Sequence, residues 1–92
     1  MAEVPVEPDG IQVTVRYFAA ARAAAGAESE SVILLPGTTV ADLVKRLAGP
    51  GTRLAMVLSR CSYLCDGIAV RDETKTLRSG DTIDVLPPFA GG

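Results

Sequence analysis

The sequence predicts an α+β domain, a mixed sheet of four to five strands around one main helix with one or two short helices beside it. Three observations carry that expectation. Residues 11–17 alternate apolar and polar side chains, the period of a half-buried strand. Residues 39–48 place apolar side chains at helical spacing. Beyond them, Asp66-Gly67, Ser79-Gly80-Asp81 and Pro87-Pro88 cut the chain into short β segments.

The elements follow in order. Residues 1–10 carry Pro5, Pro8 and Gly10 among acidic side chains and are expected to be a flexible N-terminal extension. In the first strand Ile11, Val13, Val15 and Tyr17 share the face expected to be core. Residues 18–25 are Ala-rich and favour a short helix, which Gly26 ends in the left-handed region. Residues 31–35 read as a second strand stopped by Pro36-Gly37. Thr39 and Asp42 form a capping-box-like start, and Val40, Leu43, Val44 and Leu47 line one stripe of the main helix, which ends near Gly49-Pro50-Gly51.

Residues 53–60 fit either a short helix through Leu54, Val57 and Leu58 or a loop with one helical turn. Residues 61–65 and 68–70 read as short strands joined at Asp66-Gly67, a dipeptide suited to a hairpin turn with positive φ. Residues 82–86 form the last strand. To bury its inward face, that strand must pair beside the first, which is the β-grasp arrangement. The expected domain covers residues 11–88, with residues 89–92 projecting as a tail.

Composition narrows the function. The chain is 48% hydrophobic and 22% charged, with a net charge of -2, so a single folded domain of 92 residues is expected. Its basic residues are scattered, which argues against nucleic acid or membrane partners and for protein partners. The N-terminal stretch lacks a signal-peptide pattern, and the expected location is the cytoplasm. The sequence has no histidine, which removes the usual general base and the commonest metal ligand. An autonomous enzyme is therefore not expected, and no metal site or bound cofactor.

The chemistry falls to the end of the chain. Pro87-Pro88 stops strand pairing, and the four residues Phe89, Ala90, Gly91 and Gly92 can reach roughly 13 Å when extended. The terminal glycines let a carboxylate enter a narrow pocket that any side chain would obstruct. A carboxylate reacts only once its oxygen is made a leaving group, as adenylation by ATP would do. The sequence holds no phosphate-cradling glycine loop, so ATP is expected on a partner enzyme.

Strand parity marks where that partner docks. Ile83 and Val85 point to the core, while Thr82, Asp84 and Leu86 point outward. Phe18 falls on the same outer side if the first strand runs one residue further. Phe18 and Leu86 are expected to form one apolar patch, joined by Ala69. With Pro87, Pro88, Phe89 and Ala90 they make the expected partner-binding set. Cys61 and Cys65, four apart on one strand, would lie ~13 Å apart, too far for a disulfide or shared metal, and are read as structural. Arg22, Lys45 and Arg46 are read as solvated helix charges.

These segments resemble a known family. Val15-Arg16-Tyr17-Phe18-Ala19 with Ala21-Arg22 and Gly26, Gly80-Asp81-Thr82-Ile83-Asp84-Val85, and Pro87-Pro88-Phe89-Ala90-Gly91-Gly92 are similar to the small subunits of molybdopterin synthase, ubiquitin-like sulfur carriers. The resemblance implies a β-grasp fold and a Gly92 carboxylate adenylated by a ubiquitin-activating-like enzyme, then converted to a thiocarboxylate. It implies sulfur donation to a pterin precursor on a large synthase subunit, in a heterotetramer of two small and two large subunits. It also implies that both partners use the outer sheet face near the tail. The chain departs from the family at Ala23-Ala24-Ala25, where larger or charged residues are frequent, and at Asp66, where Asn is common. Two other roles stay open: sulfur carriage for thiamine or cysteine synthesis, and a protein modifier joined through Gly92 to lysines.

Overall fold

A computed structural model describes residues 10–49 and 51–88. In chain order the elements are β1 (Ile11–Tyr17), α1 (Ala19–Ala25), β2 (Ser29–Leu34), α2 (Val40–Ala48), α3 (Arg53–Leu58), β3 (Ser62–Cys65), β4 (Ile68–Ala69) and β5 (Thr82–Leu86). The sheet order is β2-β1-β5-β3-β4. β5 runs parallel to β1 with Val15 opposite Ile83 and Tyr17 opposite Val85, and the remaining pairings are antiparallel. The first and last strands are thus central neighbours, as the burial argument required.

The core follows the strand alternation. Val13, Val15, Tyr17, Ile83 and Val85 project to one side, where they meet Val40 and Leu43 of α2, Leu58 of α3 and Ala21 of α1. α2 is set by its ends: the Thr39 hydroxyl accepts the Asp42 N–H at 3.1 Å, and the Asp42 carboxylate accepts the Thr39 N–H at 3.2 Å. The next free donors of that first turn, Val40 and Ala41 N–H, bond to the carbonyls of Lys75 and Glu73 in the loop before β5. Leu77 anchors that loop, 2% exposed. Nothing in the apolar periodicity marks this contact, because its hydrogen bonds are main-chain.

Several boundaries differ from the sequence reading. β2 begins at Ser29 rather than residue 31 because Tyr17 N–H reaches the Glu28 carbonyl and Arg16 pairs with Ser29. It ends at Leu34, and Leu35 turns outward, 72% exposed, into a turn closed by Thr38. Residues 53–58 are a helix, since the Thr52 hydroxyl caps it by accepting the Ala55 N–H at 2.9 Å. Cys61 lies before β3, its N–H bonded to the Leu58 carbonyl, and Val70 lies just past β4. Gly10 is half-buried, whereas the rest of the expected extension, residues 1–9, lies outside the described residues. Among the described residues no helix is long and apolar enough to cross a membrane.

Candidate functional site

The outer face of the sheet is built by register. Thr14 lies opposite Thr82, and Arg16 opposite Asp84, which in turn lies opposite Leu64 on β3; Leu64 faces Ala69 on β4. One step further along, Leu86 lies opposite Ser62. Phe18 comes just after the Tyr17–Val85 pair, and its N–H still donates to the Val85 carbonyl at 3.2 Å. The backbone there is extended, with φ -123 and ψ 149, so the strand direction carries Phe18 to the outer side before α1 begins. Ala19 then takes φ 50, a left-handed turn that redirects the chain into the helix.

Phe18 is 38% exposed, Leu86 and Pro87 are half-buried, and Pro88 is exposed. Phe18, just past β1, and Leu86 on β5 each come one residue after the Tyr17–Val85 pair, beside Pro87. Ala69 is exposed on the same face, but two strands from β5, with Leu64 between. Leu64 is a half-buried apolar residue of this face that the sequence reading missed; Tyr63 and Cys65 pointing inward fix its direction. Phe89, Ala90, Gly91 and Gly92 lie outside the described residues.

Charge on this face is paired. Arg16 Nε donates to Asp84 Oδ1 at 2.7 Å and Nη2 to Oδ2 at 2.9 Å, a two-point contact that keeps the guanidinium protonated still more firmly than usual. Asp84, which parity points outward, is only 7% exposed, with Arg16 paired to it. The Arg16 guanidinium carbon also sits 5.5 Å from the centre of the Phe18 ring, a cation–π contact. Arg22 Nη1 approaches the Glu28 carboxylate at 3.5 Å on the rim, and both side chains are exposed. Arg46, read as a solvated charge, is exposed and also donates to the Ile33 carbonyl at 3.0 Å.

The cysteines are free and do not reach this face as a pair. Cys65 is buried on the core side, and Cys61 donates its S–H to the Val57 carbonyl at 3.2 Å. Burial pushes both thiols up, and the charges of Asp81 and Asp66 add to the rise at Cys65. A thiol held protonated is a poor nucleophile. The Cys65, Asp66 and Asp81 ligand atoms lie within 4.8 Å of one another. Both carboxylates are already engaged, Asp66 accepting from Thr82 N–H at the start of β5 at 2.9 Å and Asp81 closing a turn by accepting from Arg78 N–H at 2.8 Å.

The sequence pattern of the ThiS family matches residues 15–92. The chain is 30% identical over 83 residues to the molybdopterin synthase sulfur carrier subunit of Chlamydomonas reinhardtii, a match spanning 89% of this chain and 100% of that one. Among solved structures, a Haloferax volcanii protein determined in solution superposes with a TM-score of 0.79 at 27% identity, over 98% of this chain and 94% of that one. A chain from the complex of subunits 1 and 2 of the Helicobacter pylori molybdopterin-converting factor gives a TM-score of 0.65 at 22% identity, over 89% of this chain and 100% of that one. At that identity the likeness speaks to the fold.

Proposed function

This chain belongs to the ThiS family, and we propose that it is the sulfur-carrier small subunit of a molybdopterin synthase. The observation that carries the reading is a family match that runs to the last residue, so that Gly91-Gly92 falls within the matched segment. The match to a curated sulfur carrier subunit of that synthase supports the choice of pathway.

The chemistry proceeds in three steps. The Gly92 carboxylate attacks the α-phosphorus of ATP on a ubiquitin-activating-like partner, releasing pyrophosphate and leaving an acyl-adenylate. Hydrosulfide displaces AMP, so the C–O bond to the nucleotide is replaced by a C–S bond and a thiocarboxylate remains. The thiocarboxylate sulfur attacks a carbon of the pterin precursor on the large subunit, displacing an oxygen leaving group, and water then cleaves the acyl–sulfur bond, leaving the sulfur on the precursor and restoring the carboxylate. The small chain is the non-catalytic member: it contributes an address and a reactive terminus, while the partners supply the acid–base groups and bind the nucleotide.

Docking of both partners is assigned to the outer sheet face with Phe18, Leu86, Pro87 and Pro88, Ala69 lying at its far side, and Phe89 and Ala90 thread the tail into each active site. The assembly is a heterotetramer of two small and two large subunits. Complementation tests the reading. In a strain lacking its molybdopterin synthase small subunit, the wild-type chain restores molybdenum-cofactor synthesis and the Gly92 deletion does not. Rescue of a thiamine or cysteine auxotroph in its place moves the carrier to another pathway, and lysine-linked conjugates through Gly92 would make it a modifier.

A further inference from the structure

Among the described strand residues, the outward-facing rows hold one cation and one anion, Arg16 and Asp84. The two are not equally finished. The Asp84 side chain is 10% exposed and both its oxygens accept hydrogen bonds, whereas the Arg16 side chain is 52% exposed. Asp84 occupies the Nε–Nη2 edge of the guanidinium. The other edge, Nη1 with the second Nη2 hydrogen, has no partner among the described residues. It is a fork of parallel donors whose plane is steadied by Asp84 on one side and the Phe18 ring on the other.

Arg16 lines a hollow of about 200 Å³ together with Phe18, Arg22 and Glu28, and with Tyr17 and Ser29. Two arginines therefore line it, and its single carboxylate residue, Glu28, is engaged at 3.5 Å with Arg22. The hollow lies beside Phe18, on the face that the proposed function covers with a protein partner. Covering it removes water from the free edge of Arg16. A guanidinium cannot escape by losing its proton, and donors buried without acceptors are costly, so the covering surface must bring oxygen atoms to it. Two parallel donors match the two oxygens of a carboxylate, and Arg22 adds positive charge to the same wall.

We infer that an acidic side chain of the protein partner docks on the Nη1–Nη2 edge of Arg16 in the hollow beside Phe18, making Arg16 a specificity-determining residue and Asp84 the group that positions it. The inference rests on the proposed function, because it takes the synthase large subunit as the covering protein.

The test is the dissociation constant for the cognate large subunit at low and high salt, for wild type, Arg16→Lys and the double variant Arg16→Leu/Asp84→Leu. The double variant removes both charges together, so that no carboxylate is stranded under the sheet face. Lysine keeps the charge but cannot fill both edges at once. Both variants are expected to bind ~10-fold more weakly at low salt, and the double variant should lose most of the salt sensitivity of the wild type. A thermal melt establishes that each is folded, and if the double variant is not, Arg16→Lys decides. Binding within about twofold of wild type, with an unchanged salt response, overturns the role of Arg16 and leaves the carrier function standing. Failure of the wild-type chain itself to bind the large subunit overturns the proposed function and this inference with it.

Discussion

On the inner face of the sheet, Val13, Val15, Ile83 and Val85 are fully buried and chemically uniform. One residue along on the same two strands, the outer face presents Thr14, Arg16, Asp84 and Leu86, a mixture held by an ion pair and left partly open. The difference teaches how a chain of this size divides its labour. The inner face needs only apolar side chains of suitable volume, and its stability comes from excluded water. The outer face leaves Phe18 and Leu86 partly exposed, and neutralises the charges beside them by pairing Arg16 with the buried Asp84.

Substitutions that break the inner face should have the largest effect on stability. Leu43→Ala removes a fully buried side chain of α2 and is expected to cost ~2–5 kcal/mol, read from denaturant unfolding.

Tyr17→Phe should cost less, ~1 kcal/mol, since it loses a hydrogen bond from the hydroxyl to Glu30 at 2.6 Å whose acceptor is exposed. It should also alter the response to alkali. Burial, and for Tyr17 the bond to Glu30, raises both tyrosine hydroxyls well above their ordinary value; the charges of Cys61 and Glu73 add to the rise at Tyr63. The folded state then keeps protons that the unfolded chain releases above about pH 10, so this stability is full below that pH and is lost as pH rises beyond it. Unfolding free energies measured from about pH 8 to about pH 11 should fall less steeply for Tyr17→Phe than for wild type.

On the outer face the order of effects reverses between folding and binding. Leu86→Asp should change stability by under ~1 kcal/mol while weakening large-subunit binding by ~10-fold or more, measured by titration calorimetry. Wild-type affinity in that variant would remove Leu86 from the interface. Gly91→Ala should leave the melting temperature unchanged and slow sulfur transfer, because the added methyl obstructs a tail that has to enter a narrow site.

How much of this was legible follows the same division. Strand alternation placed Val13, Val15, Tyr17, Ile83 and Val85 in the core, and the central β1–β5 pair followed from the need to bury them. Thr39 and Asp42 announced α2, and Asp66-Gly67 announced the hairpin, where φ is 51 and 85. The outer face was legible in direction but not in partnership. Parity sends Asp84 outward, yet only the register between β1 and β5 lays Arg16 across it and buries it. Leu64 escaped notice for the same reason, its cross-strand neighbour Asp84 on β5 being distant in sequence. The loop that bonds Val40 and Ala41 does so through carbonyls, which carry no side-chain signature. The terminal Gly91-Gly92, the proposed reactive end, is read from the sequence alone and lies outside the described residues.

The most direct test is the intact mass of the chain after incubation with the activating enzyme, ATP and a sulfur donor. Replacement of one carboxylate oxygen by sulfur predicts a gain of about 16 Da in the wild-type chain and none in the Gly92 deletion. An unchanged wild-type mass under conditions that convert a known carrier, or the same gain in the deletion, would contradict the assignment of the chemistry to Gly92.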